Sequence, residues 1–398
     1  GIGMRRALCV ALTLWAALAT VGFGGVFPNA DILVANQLPD GSWGYPTWET
    51  GYMVPGLVRA YELSNDPAYK ASAELAGMWV LNNAPLIPGG SVNPYNLLPF
   101  PNGSNPPSNT THHIIGEEAY AFRRLSEINA SPSGNLWRSE ITNFYADVKA
   151  LYPGNTLGYV TALRAAQIDE SFATDIIAHH VMAADYAGAA DLAIWRSELV
   201  KTLGMVTDAT AAFPVLALGS AVWALASTLG GLDGTVVDPT ATPGGAWWDY
   251  INNDGPATLL DLPAMLASHQ ELTPGADFYG TFYWRFDHLA PPGQPAYGYT
   301  EDTVFGTLGL QASALYGYGP YDTQVNAGIY ALLGGFAYWD NYMREHVGFS
   351  AYAGYNFMYA AEGLRLAIPE PGSMALLVGG CAALILRRRR RRAGKVSD

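Results

Sequence analysis

The sequence predicts an all-α body that lies between two targeting segments. Apolar residues recur at the spacing of one helix face in several stretches, and Val54, Leu57, Val58 and Tyr61 form one such stripe. Clusters of Pro, Gly and Asn separate the stripes and predict loops, at residues 85–107, 230–245, 273–275 and 291–298. This alternation of helix and loop indicates repeated helical hairpins.

Two classes of helix are predicted within the body. Helices that are small and apolar are predicted to begin near Thr50, Gly116, Ile176, Phe213, Thr303 and Phe349. Helices that carry more charge are predicted over residues 68–81, 136–151, 191–203 and 324–343, with one further helix near residues 256–269. Rows of small residues such as Gly306 and Gly309 let neighbouring helices approach closely. The apolar helices therefore suit an inner ring, and an ordinary helical bundle is the alternative.

The N-terminus has the three parts of a secretory signal peptide. Arg5 and Arg6 supply positive charge, residues 7–18 are apolar, and Ala17-Leu18-Ala19 provides small residues on both sides of a cleavage site. We therefore expect residues 1–19 to be removed by signal peptidase, and the body to extend over residues 20–367.

The C-terminus combines prolines, an apolar run and a basic cluster. Pro369-Glu370-Pro371 precedes the apolar residues 372–386, and six arginines follow, namely Arg387, Arg388, Arg389, Arg390, Arg391 and Arg392. The arginines keep this end on the cytoplasmic side of a bilayer, because transferring guanidinium into lipid is costly. Fifteen residues rise only about 22 Å as a helix, against a hydrocarbon core of about 30 Å, so a permanent tail anchor is the less favoured alternative.

This tail closely resembles the PEP-CTERM sorting signal of bacterial surface proteins, over residues 368–398. The resemblance implies that an exosortase recognises the Pro-Glu-Pro region. It also implies that the short transmembrane helix anchors the protein in the inner membrane only until processing. The predicted destination is the cell surface or the extracellular matrix, where exopolysaccharide is also expected.

The exported body is strongly acidic and lacks cysteine. Residues 20–366 contain 12 Lys and Arg against 32 Asp and Glu, a balance of about −20. This charge excludes nucleic acid as a partner, since nucleic-acid binding depends on Lys and Arg contacts to phosphate. It also disfavours acidic glycans. Both cysteines, Cys9 and Cys381, lie in the targeting segments, so neither disulfides nor thiolate metal ligands are predicted in the body, and no cofactor is predicted.

One local motif indicates the architecture. Gln37, Gly41 and Trp43 follow a short apolar helix over residues 31–35, in the order Gln-Leu-Pro-Asp-Gly-Ser-Trp. They resemble the QW motif of the terpenoid cyclase and prenyltransferase-like α/α toroids, in which Gln and Trp tie the end of one helix to the turn before the next. The resemblance implies a ring of about six helical hairpins. Similar segments at residues 244–248 and 293–299 lack the Gln of this motif.

Acidic residues recur at the predicted N-termini of the inner helices. We consider Glu49, Glu118, Glu301 and Asp302 as catalytic candidates, because these N-termini surround the cavity mouth in an α/α toroid and glycoside hydrolysis requires two converging carboxylates. The alternative is that they cap helix N-termini, where carboxylates are stabilising. Tyr299 and Glu301 stand where the acidic motif of class II terpene cyclases has aspartates, so terpene cyclisation is disfavoured.

The histidines do not form a pattern that indicates a metal site. His112-His113 and His179-His180 are adjacent pairs whose rings point about 100° apart on a helix, whereas a helical zinc pair requires spacing i, i+4. No metal ligands are therefore predicted.

Aromatic residues are the stronger indication of binding. Tyrosines concentrate after Tyr279, and tryptophans flank the predicted turns. A flat aromatic ring offers an apolar face to sugar C–H groups and a polar edge for hydrogen bonds. The candidates for stacking on a glycan are Trp48, Trp247, Trp248 and Tyr299, and packing within the core is the alternative for each ring.

Three hypotheses of function follow. In the first, the protein is a surface or matrix protein whose toroid binds or scaffolds extracellular polysaccharide. In the second, it is an exported glycan-cleaving enzyme, either a glycoside hydrolase or a polysaccharide lyase, that uses the four candidate carboxylates. In the third, it is a structural surface module without a ligand.

Overall fold

The computed structural model describes residues 30–31, 33–44, 47–83, 116–129, 133–148, 154–166, 169–252, 254–276, 278–290 and 296–332. The predicted signal peptide, the sorting signal and the helix near Phe349 lie outside these residues. Within them, all regular structure is helical and strand pairing is limited to isolated bridges, so the predicted all-α class is confirmed. No helix in this part of the chain is both long and apolar enough to cross a bilayer.

The helices follow one another in eleven numbered elements across the described part. They are α1 (Thr47–Ser64), α2 (Pro67–Asn83), α3 (Gly116–Ile128), α4 (Ser133–Asn143), α5 (Thr156–Ala166), α6 (Glu170–Ala187), α7 (Leu192–Leu203), α8 (Pro214–Ser227), α9 (Leu262–Ser268), α10 (Thr300–Leu315) and α11 (Asp322–Tyr330). A π-helical turn, Phe144–Val148, extends α4. Residues 33–36 form a short helical segment ahead of α1.

The helices form two layers. In the first, which we call the core layer, α1, α3, α6, α8 and α10 pack against one another in chain order. In the second, the outer layer, α2, α4, α7 and α11 each follow a core helix through a short connection and pack back against it. Helix α8 is buried on all sides from Pro214 to Ala226, as expected for a helix that is apolar all round. In contrast, α7 buries one face that contains Trp195, Leu199 and Leu203.

Most predicted helix starts lie within three residues of the observed ones, whereas α5 (Thr156–Ala166) was not predicted. Two departures have a local cause. Helix α6 begins at Glu170, six residues before the predicted start at Ile176, because the Asp169 carboxylate accepts the Ser171 and Phe172 N–H groups and caps the helix. The helix predicted near residues 256–269 is shorter, since Asp261 accepts the Thr258 N–H at 2.7 Å and closes a turn before α9.

The Gln37–Trp43 turn is hydrogen-bonded to the helical segment before it and to α2. The Gln37 amide donates to the Gly41 carbonyl and to the Ser72 carbonyl on α2, both at 2.9 Å. The Trp43 indole N–H donates to the Leu33 carbonyl of the preceding helical segment at 2.8 Å. Gly41 has φ +100°, and any Cβ there would collide with a carbonyl of α2.

A second turn, at residues 270–280, repeats this arrangement without a recognisable QW motif in the sequence. The Gln270 amide donates to the Gly280 carbonyl at 2.8 Å and to the Gln324 carbonyl on α11 at 2.9 Å. Gly280 has φ +93°, and a Cβ there would collide with the carbonyl of Ala327, also on α11. Each turn therefore precedes a core helix and is bonded to the outer helix that follows it. The second turn has six more residues between Gln and Gly than the first, and it has Phe282 in place of Trp. For these reasons its sequence does not match the QW motif.

We predict that Gln270→Ala lowers the free energy of unfolding by about 1–3 kcal/mol, because it leaves two buried carbonyls without their donor. Gln324→Ala is the matched control, since only its backbone carbonyl takes part in the contact. Chemical denaturation of both variants measures the difference. Equal stability of the two variants would show that the second turn does not depend on the Gln270 side chain.

Candidate functional site

The segments that precede three core helices are bonded side by side. The Glu170 N–H donates to the Thr210 carbonyl, and the Val215 N–H donates to the Trp284 carbonyl. The N-terminal ends of α6, α8 and α10 are thereby aligned at one edge of the core layer. We call this edge the N-terminal rim.

Four aromatic side chains form a continuous row along the N-terminal rim. Phe172 contacts Phe213, Phe213 contacts Trp284, and Trp284 contacts Tyr299, with ring centroids 5.9, 5.9 and 5.7 Å apart. Trp284 is buried, whereas the other three rings are partly exposed. The sequence singled out Tyr299 but missed the other three, because the row joins residues that lie far apart in the chain.

The carboxylates predicted to be catalytic occupy separate contacts of the core layer. Asp302 is fully buried, and its Oδ1 accepts the Leu216 N–H of α8 at 3.0 Å. Because α8 has no side-chain cap of its own, Asp302 serves as its cap from the neighbouring helix. Glu118 is also fully buried, where α3 meets Gly51 of α1, and Glu301 is partly buried. The side chain of Glu49 lies outside the described residues.

Helix α6 separates the contacts at which the two buried candidates lie. Glu118 belongs to the α1–α3 contact and Asp302 to the α8–α10 contact, and α6 packs between α3 and α8. Each of the two buried candidates therefore lies at a helix contact of its own.

A buried histidine at the centre of the core layer was missed by sequence reasoning. The His179 Nδ1 donates to the Asp175 carbonyl at 2.9 Å and lies 3.4 Å from the Asp175 Oδ1. Rings from three other core helices stand edge-on to the imidazole, namely Tyr120, Trp223 and Phe305, with centroid distances of 5.7, 5.7 and 6.0 Å. The signal that could have found it is the i, i+4 pair of Asp175 and His179 on α6.

The charge of this histidine is set by its acidic neighbours. Burial disfavours the imidazolium, but the Asp175 carboxylate, with a smaller contribution from Glu117, outweighs burial and raises the pKa of His179 to about 9. His179 is therefore charged at neutral pH. Its position lets it hold together helices of the core layer.

The next residue, His180, faces the outer layer. Its ring stacks between Phe144 and Trp195, at centroid distances of 5.0 and 4.8 Å. The Tyr145 hydroxyl, which donates to the His180 carbonyl, lies 2.9 Å from its Nδ1, and the Tyr159 hydroxyl lies 2.9 Å from its Nε2. These bonds fit a neutral imidazole with the proton on Nδ1, which is a structural role.

The predicted stacking tryptophans differ in their surroundings. Trp247 is buried, and its indole N–H donates to the Val206 carbonyl at 3.0 Å, so its ring belongs to the core. Trp248 is partly buried, and the Trp48 side chain lies outside the described residues. Of the three predicted rings whose side chains the structure describes, Tyr299 belongs to the aromatic row.

Comparison with known proteins adds no family to these observations. No protein-family model, curated protein or solved structure matches this chain. Over the described residues, no group of three or more His, Cys, Asp and Glu side chains is arranged to hold a metal ion.

We predict that stability falls as pH rises from 6.5 to about 9, because the raised pKa of His179 makes the native state bind a proton that the unfolded chain releases. The His179 contribution is complete below pH 6.5, is lost as pH passes through about 9, and amounts to about 3 kcal/mol for a shift of this size. His179→Gln should flatten this part of the stability profile, measured by denaturant unfolding.

His269→Gln is the control for this experiment. Burial, with a smaller contribution from His288, lowers the pKa of His269 to about 3, so His269 is neutral throughout the same interval. A variant that lacks His269 should keep the wild-type slope above pH 6.5. An unchanged slope in His179→Gln would contradict the assignment.

Proposed function

We propose that this protein is exported, processed by an exosortase and displayed at the cell surface or in the extracellular matrix, where its helical body binds a neutral polysaccharide. The aromatic row on the N-terminal rim is the observation that carries the binding proposal. Signal peptidase and exosortase are the proposed processing partners, and the membrane is a partner only before processing.

An α/α toroid is the proposed architecture of the body. In such a ring, inner helices are successive neighbours and each is followed by an outer helix, which is the order of contacts in the core and outer layers. The two Gln–Gly turns support the proposal, because each fastens the entrance of one hairpin to its own outer helix. The N-terminal rim is then one end of the inner ring of helices.

The chemistry of the rim suits a neutral glycan. Partly exposed rings offer apolar faces to sugar C–H groups, and such contacts do not require charge. An acidic body of about −20 repels uronates and sulfated sugars. Arg285 is held in a salt bridge to Asp287 at 2.7 Å, so this rim cation is already paired.

Glycan cleavage is the weaker alternative. A hydrolase of this kind needs an acid and a second carboxylate that approach one glycosidic bond from opposite sides. Asp302 is instead buried and engaged in capping α8, and Glu118 lies at a different helix contact. A ligand-free structural module is the remaining alternative, and it would leave the partly exposed aromatic row without a role.

We predict that the protein binds neutral exopolysaccharide purified from the producing organism, and that Tyr299→Ala weakens this binding about 3- to 10-fold, as expected for losing one aromatic contact. Isothermal titration calorimetry measures the affinity, with a polyuronate as the charged comparison. Tyr330→Ala removes a half-exposed ring from outside the row and should have no effect. No heat from the wild type, or equal losses in the two variants, would contradict the proposal.

Export is tested separately from binding. We predict that replacing Pro369 and Glu370 with Ala in the producing cell leaves an unprocessed, membrane-bound protein, whereas Ser397→Ala is processed normally. Fractionation and immunoblotting with size standards distinguish the two forms. Recovery of the full-length wild-type chain from the cytosol, with both ends uncut, would rule out the export proposal.

A further inference from the structure

A groove lies at the opposite end of the core layer from the N-terminal rim. It has a volume of about 840 Å³ and is enclosed by the C-terminal ends of α6 and α8, the N-terminal part of α7 and the loop after α8. We call it the C-terminal groove. Its size is that of small-molecule and short-oligosaccharide sites.

The walls of the C-terminal groove are aliphatic, with polar groups between them. Val200, Leu225, Val237 and Leu259 supply apolar surface, and their side chains are branched and lack rings. Ser197, Thr235 and two carboxylates add hydroxyl and acceptor groups. This combination suits a ligand that carries both hydroxyls and small apolar substituents.

The groove carries no excess of positive charge. Arg196 and Lys201 line it together with Asp185 and Asp233, and Lys201 is also paired with Glu198 at 2.5 Å. Asp185 and Asp233 each accept a backbone N–H, at 3.1 and 2.8 Å, so both carboxylates are held in place. This arrangement disfavours an anionic ligand.

Arg196 presents an uncovered edge in the groove. Its Nη1 donates to the Leu225 carbonyl and the Thr228 hydroxyl, and its Nη2 donates to the Gly231 carbonyl, at 3.2, 2.6 and 2.5 Å. A guanidinium has five N–H donors, so the N–H of Nε and the second N–H of Nη2 remain for another acceptor.

Gly230 lies against the flat face of this guanidinium. It has φ +106°, and a Cβ there would lie 3.1, 3.2 and 3.3 Å from the Nε, Cζ and Nη2 of Arg196, which places it above the plane of the group. Glycine therefore lets the loop after α8 pass close to this partly buried cation.

We propose that the C-terminal groove is a second carbohydrate site that binds a neutral sugar bearing an acetamido group. The acetamido carbonyl accepts from the Nε and Nη2 of Arg196, and its methyl group contacts the aliphatic wall. The carboxylates and hydroxyls of the groove accept from and donate to the sugar hydroxyls. This site is separate from the rim, so it does not depend on glycan binding there.

An extended peptide fits these observations less well. A peptide in a groove of this kind commonly adds a strand to an open sheet edge. The part of the chain described by the structure offers no such strand beside the groove, where Val236 and Thr258 form only an isolated bridge. The fixed carboxylates are also better matched to several hydroxyl donors than to one backbone.

Calorimetric titration of the full chain with a β-1,4-linked N-acetylglucosamine tetrasaccharide tests this proposal. Cellotetraose, the β-1,4-linked glucose tetrasaccharide that is also neutral but has no acetamido groups, should bind at least about 10-fold more weakly, because it offers no carbonyl to Arg196. Ala193→Trp should abolish binding, since residue 193 lines the groove from an exposed position on α7 and the added ring occupies it.

Two controls separate the groove from other sites. Ser139→Trp adds the same ring at an exposed position on α4 that does not line the groove, and should bind normally. Tyr330→Ala removes a half-exposed ring that lines neither the groove nor the rim and should also bind normally. The proposal is overturned by undetectable binding of the acetylated sugar to the wild type, by equal binding of the two sugars, or by an unchanged affinity in Ala193→Trp. Displacement of the sugar by an equimolar aliphatic peptide would also overturn it, in favour of a peptide groove.

Discussion

Direct backbone contact between α8 and α10 is the constraint on which the core layer depends. A Cβ on Gly219 would lie 2.6 Å from the carbonyl carbon of Phe305 and 2.7 Å from the nitrogen of Gly306, so only glycine allows this approach. The same approach brings Asp302 within 3.0 Å of the Leu216 N–H. Packing and capping thus fix one register, which aligns the two N-termini and joins Phe213 to Tyr299 through Trp284.

A similar contact fixes the centre of the layer. A Cβ on Gly116 would lie 2.9 Å from the Cβ of His179 and 3.2 Å from the His180 nitrogen, so the start of α3 rests directly on α6. This contact places Tyr120 of α3 against the imidazole of His179. His179 and His180 are consecutive on α6, so their rings point in different directions. The His179 ring packs within the core layer, and the His180 ring packs against the outer layer. Their protonation then differs through their neighbours and not through their residue type.

Most of the helical framework could be predicted from the sequence, because apolar spacing and loop composition are local signals. Helix α3 begins at the predicted Gly116 and α8 one residue after the predicted Phe213. The structure departs from prediction where one side chain decides, as at Asp169, or where residues distant in sequence meet. Gln270 is recognised only through its bond to α11, and Asp302 acts on a helix that begins 88 residues earlier, at Pro214. No local pattern carries such information.

The acidic composition and the neutral binding surfaces are consistent with one another. A body with about 20 excess negative charges repels polyanions at long range, so attraction must come from contacts that act only at short range. Aromatic faces on the rim and the Arg196 edge in the groove are contacts of this kind. In the proposed role within a matrix of charged and neutral polymers, repulsion would select against the charged ones, and stacking and hydrogen bonding would determine which neutral sugar is retained.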